Sequence, residues 1–193
     1  MSARRMLIKR LFDIFMCLIA FPIVIFLIVF ISLIIKLTSH GTIFYWSDRV
    51  GLGGVIFKMP KFRTMKVGTP LLATHLLDNS STFLTPVGGF IRKLSLDELP
   101  QLWSILIGDM TFVGPRPALF NQDDLIALRK KYGVDMLVPG LTGWAQVNGR
   151  DELSVPAKVQ LDIDYMNNQS FWFDVKIILL TFFKAIKGSG VSH

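Results

Sequence analysis

Residues 11–35 read LFDIFMCLIAFPIVIFLIVFISLII, with Asp13 as the one ionisable side chain. About 20 apolar residues in a helix cross a bilayer core of about 30 Å, so this run is long enough to be a membrane helix. It is too long for the apolar region of a cleaved signal peptide, and Ile34-Ile35-Lys36 offers no small-residue cleavage site. Two features set it apart from a simple span. Arg4, Arg5, Lys9 and Arg10 precede it, while Lys36, Arg49, Lys58, Lys61, Arg63 and Lys66 follow it. Basic flanks favour the cytoplasmic side, and a single crossing cannot place both of them there. Pro22 lies near the centre, where its ring removes a helical hydrogen bond and clashes with the carbonyl four residues back. A broken helix that enters one leaflet and returns satisfies both features. A kinked single-span anchor is the alternative, since membrane helices tolerate proline. The residues alone leave the two open.

The rest of the chain agrees with a membrane setting. At 193 residues it is long enough for one domain with a core, and 51% of it is hydrophobic. The net charge of +7 is uneven. Residues 1–66 carry ten Lys/Arg against Asp13 and Asp48, whereas residues 67–193 carry eleven against twelve Asp/Glu. The excess therefore brackets the apolar run, as expected where a chain meets anionic head groups. Nucleic-acid binding is the rival reading of a basic chain, and that placement makes it the weaker one, because the basic residues do not cover a folded surface. The single cysteine, Cys17, rules out an internal disulfide and reads as a small buried hydrophobe.

Beyond the apolar run, Ile43 to Met59 has two β-prone stretches flanking the GLGG at 51–54, which predicts a hairpin. A polar loop is expected from Lys66 to Thr85, then a turn at Pro86-Val87-Gly88-Gly89. Helices are predicted over Asp97–Ile107, Gln122–Lys131 and Ser154–Gln169. PGLTGWAQVNGR, residues 139–150, reads as an ordered loop because of its Gly and Pro content. A final amphipathic helix covers Phe171–Lys187. Phe171, Val175, Ile178, Leu179, Phe182 and Ile186 share one face, and Asp174, Thr181 and Lys184 the other. It suits either a core or the bilayer interface.

Within LSLDELPQLW, residues 94–103, the adjacent acids Asp97 and Glu98 have two readings. Ser95-x-x-Glu98 matches a capping box, and acids in a first turn favour the helix dipole. Pro100 disturbs that register, so either Asp97 starts the helix or the helix is distorted at the pair. Both options leave a carboxylate beside free backbone N–H groups, a setting that also suits phosphate. A carboxylate can act as a covalent nucleophile on an anionic electrophile if cations screen its approach. Arg92, Lys61, Arg63 and Arg116 are candidates for that task. Arg116 lies in Gly114-Pro115-Arg116-Pro117, a stiff loop suited to presenting a guanidinium to phosphate. The three histidines form no motif, and only a phosphate beside two carboxylates suggests Mg²⁺.

KFRTM (61–65), LSLDELPQLWSIL together with GDMTFVGPRP (94–117, with Ile107 between them) and PGLTGWAQVNGRD (139–151) together resemble the bacterial sugar transferase family. These are monotopic polyprenyl-phosphate phosphoglycosyl transferases, and the chain looks like their minimal catalytic core. The resemblance implies a mainly α fold with a small β-hairpin (α+β), built on a re-entrant helix broken at Pro22. It implies a membrane helix over 1–40 and a catalytic domain over 41–193 that lies on the cytoplasmic face of the bacterial inner membrane. Phe21 stands where family members often carry a small polar residue before that proline. Asp97 would be the nucleophile that takes a phosphosugar from a UDP-sugar and releases UMP, and polyprenol phosphate would be the acceptor. Glu98, with Asp97, would associate with Mg²⁺. Arg92 and Arg116 would bind phosphate, and Lys61, Arg63 and Arg150 would surround the nucleotide or sugar. Small members of the family suggest an N-acetylated amino sugar, and a homodimer is compatible with the resemblance. Direct transfer without a covalent intermediate is the mechanistic rival, and a non-catalytic membrane scaffold is the functional one.

Overall fold

The computed structural model describes residues 3–70, 80–149 and 152–187. Helix α1, Ala3–Thr38, is continuous through Pro22. The break expected there is therefore not an interruption of the helix. A proline in a long helix loses one hydrogen bond and leaves the flanking turns free to continue.

Both ends of α1 are docked on the rest of the chain. Lys9 Nζ lies 2.5 Å from Asp174 Oδ2, and the Arg10 guanidinium donates to the carbonyls of Ile105 and Leu106. Asp13 accepts from the Thr111 hydroxyl at 2.7 Å and the Phe112 N–H at 3.1 Å. Cys17 packs in a cluster with Met59, Ile105 and Met110, as a small hydrophobe should. Further along, Ile31 and Ile35 share a second cluster with Phe62 and Ile91. Between these anchors, no residue from Leu18 to Phe30 is buried. Leu18, Ile19, Phe21, Ile23, Phe26 and Val29 are exposed over more than half of the helix circumference, while Ala20, Val24, Leu27 and Ile28 on the remaining side are half-buried. A helix that is apolar all round belongs in lipid or in a core, and here it is not in a core.

The predicted hairpin is present. Strand β1, Phe44–Val50, pairs antiparallel with β2, Ile56–Phe62, in the register Phe44↔Phe62 to Val50↔Ile56. A single 3₁₀ turn over Leu52–Gly54 joins them, and Gly53 and Gly54 supply its positive φ angles of 64° and 82°. A short helix α2, Gly88–Lys93, begins inside the stretch expected to be only a turn.

The helix expected over 97–107 is two structures. Residues Leu96–Gln101 form a 3₁₀ helix that includes Pro100, and α3 follows over Leu102–Ile107. The tighter 3₁₀ winding accommodates the proline that an α-helix would reject at that position. Ser95 makes no capping bond and sits in the left-handed region at φ 54°, so the capping-box reading is overturned.

Two short strands, β3 over Thr111–Val113 and β4 over Gly140–Thr142, pair in parallel. Strand β4 and the one-turn helix α5, Trp144–Val147, correct the reading of 139–150 as a loop. The glycines there serve close packing between backbones. A Cβ on Gly114 would lie 2.5 Å from the Val138 carbonyl oxygen, and one on Gly140 or Gly143 would collide with Gly114. Helices α4, Asp123–Lys131, α6, Val155–Asn168, and α7, Phe171–Lys187, fall where predicted. Ser154 caps α6 by accepting from the Ala157 N–H.

Helix α7 is turned against the expectation for a core helix. Asp174 and Ile177 are buried, and Thr181 bonds to Thr142 at 2.7 Å. Leu179, Phe182 and Phe183 are exposed, as is Trp172 at 77%. Asp174 and Thr181 face the protein beside Ile177, Phe173 and Leu180, and a second apolar face faces outward, as suits an interfacial helix.

Candidate active site

Asp97 and Glu98 stand on the 3₁₀ turn, held by what lies on both sides of it. Upstream, left-handed Ser95 turns the chain away from α2. Downstream, α3 is pinned at its C-terminal carbonyls by Arg10 of α1. The turn itself packs on β2, which brings Lys61 opposite the acids. Lys61 Nζ lies 3.2 Å from Glu98 Oε1 and 3.9 Å from Asp97 Oδ2. Arg116 reaches the same Glu98 oxygen at 2.9 Å.

The two carboxylates therefore differ. Glu98 is tied down by a lysine and an arginine. Among the described residues no hydrogen bond reaches the Asp97 carboxylate, and its ammonium neighbour is past hydrogen-bonding distance. Burial pushes the Asp97 carboxyl above its ordinary 3.8, and the charge of Glu98 adds to this. Lys61, Arg92 and Arg116 oppose that rise. Burial conversely pulls the Lys61 ammonium down, against the pull of Glu98 and Asp97. Arg92, in the last turn of α2, donates from Nε to Thr64 Oγ1 at 2.8 Å and is electrostatically linked to Asp97.

Arg116 owes its position to the loop after β3. Gly114 N donates to Thr142 O, and Gly140 N to Pro115 O, each at 2.9 Å. Arg49 donates to Pro117 O at 3.1 Å, and Arg129 donates to Arg116 O at 2.7 Å. Arg129 is itself held by Asp162, with Nε and Nη2 at 3.0 Å and 2.7 Å from one carboxylate oxygen. Arg129 and Asp162 were not singled out in the sequence, and Arg49 stood there only as a basic flank of the apolar run. An arginine near the end of an amphipathic helix looks like an ordinary dipole charge, and its partner is 33 residues away.

Lys61, Arg92, Asp97 and Arg116 line one cleft of about 610 Å³, together with Tyr45, Trp46, Phe120 and Gln146. That size suits a drug-sized or nucleotide-sized ligand. Arg63 also borders it, but its guanidinium is turned to the end of α1, donating to the His40 carbonyl and to Ser39 O and Oγ. It holds α1 to β2 in this structure. Arg150 lies outside the described residues. No group of three or more His, Cys, Asp or Glu side chains forms a metal cluster among the described residues.

A buried acid beside phosphate-type cations narrows the chemistry, and comparison with known proteins identifies the family. The bacterial sugar transferase family matches residues 4–188. The chain belongs to the bacterial sugar transferase family. It is accordingly an enzyme of the glycosyl-phosphate transferase class. It is 39% identical over 188 residues to the uncharacterized sugar transferase EpsL of Bacillus subtilis, covering 97% of this chain and 92% of EpsL. It is 38% identical over 192 residues to the UDP-glucose:undecaprenyl-phosphate glucose-1-phosphate transferase of Escherichia coli. A third relative, 35% identical over 189 residues, is the UDP-N-acetylgalactosamine-undecaprenyl-phosphate N-acetylgalactosaminephosphotransferase of Aeromonas hydrophila. The match covers 95% of this chain in both cases, but only 41% and 44% of those two longer proteins.

Proposed function

We propose that this sugar transferase moves a phosphosugar from a UDP-sugar to polyprenol phosphate through a covalent intermediate on Asp97. The observation that carries the reading is the asymmetry of the acid pair, in which Glu98 is hydrogen-bonded by Lys61 and Arg116 while Asp97 has only the longer 3.9 Å ion pair with Lys61. Asp97 Oδ attacks the phosphorus next to the sugar, and the bond from that phosphorus to the bridging oxygen breaks. The electron pair leaves on UMP, and the phosphosugar stays on Asp97. A phosphate oxygen of the polyprenol phosphate then attacks the same phosphorus. The acyl-phosphate bond breaks, Asp97 returns as a carboxylate, and a polyprenyl-diphosphate sugar departs. Lys61, Arg92 and Arg116 counter the negative charge that otherwise repels an anionic nucleophile from a diphosphate. The product class is one that initiates polysaccharide or other glycoconjugate assembly.

The residues also suit Mg²⁺. Magnesium sites commonly combine one or two carboxylates with substrate phosphates, and Asp97 and Glu98 are adjacent on one turn. These two would hold the ion, which when bound neutralises phosphate charge.

The docking of α1 supports a re-entrant, monotopic reading. The 18 residues from Cys17 to Ile35 would extend about 27 Å in a straight helix. Yet Cys17 clusters with Met59 and Ile35 with Phe62, roughly 10 Å apart along one strand. Both flanks meet the same domain, so a full crossing would pull that domain into the bilayer. A helix that bends near Pro22 and returns keeps both basic flanks on one side, the cytoplasmic one by the positive-inside tendency. Exposed apolar α7 then lies along the interface, where a soluble nucleotide sugar can meet a lipid phosphate. An N-acetylated amino sugar as the donor's sugar follows the small members the chain resembles.

Intact-mass spectrometry tests the mechanism. Purified protein with Mg²⁺ and UDP-sugars, but no lipid acceptor, should gain one phosphosugar and release about one UMP per chain. Asp97→Asn should gain none. Product formation with lipid but no adduct without it would favour direct transfer.

A further inference from the structure

Gln146, in α5, borders the cleft that holds Asp97 and Arg116. Its Nε2 and Oε1 are both buried, and neither has a hydrogen-bond partner among the described residues. Buried amides are nearly always paired, so two orphaned atoms on one side chain at a cleft wall point to a ligand. The backbone makes room for this amide. A Cβ on Gly143 would lie 2.6 Å from Gln146 Oε1, and the same Cβ would strike Gly114, two residues before Arg116. The amide is thus seated beside the loop that presents the phosphate-binding arginine. Tyr45, Trp46 and Phe120 border the same cleft and offer flat apolar surfaces for a ring.

We propose that the Gln146 amide recognises a planar group of the donor that carries a hydrogen-bond donor next to an acceptor. Its N–H pairs with that acceptor and its C=O with that donor. In a UDP-sugar the imide edge of the uracil has this geometry, an N–H flanked by carbonyls, whereas the N–H and C=O of a trans acetamido group point to opposite sides. The inference rests on the UDP-sugar reading above. It makes Gln146 a specificity-determining residue distinct from the cations that hold the diphosphate.

Calorimetry on the full chain in detergent would compare wild type, Gln146→Leu and Gln146→Glu against UMP, UDP-glucose and UDP-N-acetylglucosamine, with ligand-free melting curves for each. Gln146→Leu removes two unpartnered polar atoms, so it should melt at or above wild type while binding about tenfold or more weakly. A purely structural glutamine would give the opposite pattern, a lower melting temperature with unchanged affinity. Equal weakening for all three ligands assigns the uracil edge. Weakening for UDP-N-acetylglucosamine alone would overturn the two-point pairing with the uracil. Gln146→Glu keeps the shape and loses the N–H donor, and should follow the same ranking if the leucine variant folds poorly. Unchanged affinities in both variants, with a wild type that binds, would overturn the role of Gln146 and leave the donor assignment intact. A wild type that binds none of the three would overturn the donor assignment itself.

Discussion

The Asp13 carboxylate, the one acid of the apolar run, accepts a 2.7 Å hydrogen bond from the hydroxyl of Thr111, 98 residues away. Its other oxygen takes the Phe112 N–H, so a single side chain fastens α1 to β3. Asp13→Ala should destabilise the protein by about 2–3 kcal/mol, because it leaves both donors without their partner. Thermal melts in detergent check this. A melting temperature equal to that of wild type would mean the contact carries no weight.

Asp97→Asn separates stability from chemistry. The folded-state pKa of Asp97 is raised, so the folded protein binds this proton more tightly than the unfolded chain. Stability from this group therefore falls as pH rises from the ordinary 3.8 through the raised value. At pH 7 Asp97→Asn should melt at or above wild type, and the difference should shrink at low pH. The rate runs the other way. In the proposed mechanism the nucleophile is the Asp97 carboxylate, so turnover of the wild type should fail on the acid side at a pH above 3.8. An acid limb at or below that value would contradict the burial seen here.

Ser95 is the only non-glycine residue with positive φ among the described residues. A left-handed L-residue costs about 1–2 kcal/mol, and glycine avoids that cost. Ser95→Gly should keep full stability and turnover. Ser95→Val should lose both, because a branched side chain resists this backbone and the turn carrying Asp97 starts here. Melting curves and initial rates of the two variants, measured side by side, decide it.

Arg129→Ala should be among the more damaging changes outside the acid pair. It strands Asp162, 1% exposed, and frees the Arg116 carbonyl. Removing one partner of a buried pair typically costs about 3–5 kcal/mol. Burial already raises Asp162 and Arg129 opposes it, so without Arg129 the pKa climbs further. The loss should then be largest at neutral pH and ease as pH falls through that raised value, since the protonated acid tolerates burial. Arg129→Met with Asp162→Leu should recover much of the stability but little turnover, because the Arg116 carbonyl still lacks its Arg129 donor. Denaturation at two pH values and a transfer assay check both halves.

The hairpin, α4, α6 and α7 were legible because each depends on a local pattern: glycines between β-prone runs, or apolar residues at helical spacing. The acid pair and its phosphate-type cations were legible as residue types in their motifs. The GPRP and PGLTG motifs were legible as special, but their glycines make sense only once Gly114, Gly140 and Gly143 are seen packed backbone to backbone. Strands β3 and β4 were missed because each is three residues long and exists only through the other. The capping box failed because Pro100 drove the turn to 3₁₀ winding and put Ser95 in the left-handed region.

The sequence by itself determined an apolar helix between two basic flanks, a hairpin, a set of amphipathic helices and an acid pair near arginines. Composition, periodicity and turn chemistry act over a few residues, and that is enough for such elements. Tertiary structure alone decided which acid is hydrogen-bonded by two cations, since Lys61 and Arg116 meet Glu98 across 37 and 18 residues of chain. It also decided that α7 turns an apolar face outward, that α1 docks at both ends, and that the Gln146 amide is buried at the cleft wall with no hydrogen-bond partner among the described residues. Each of these depends on distances between residues far apart in sequence, which no local pattern encodes.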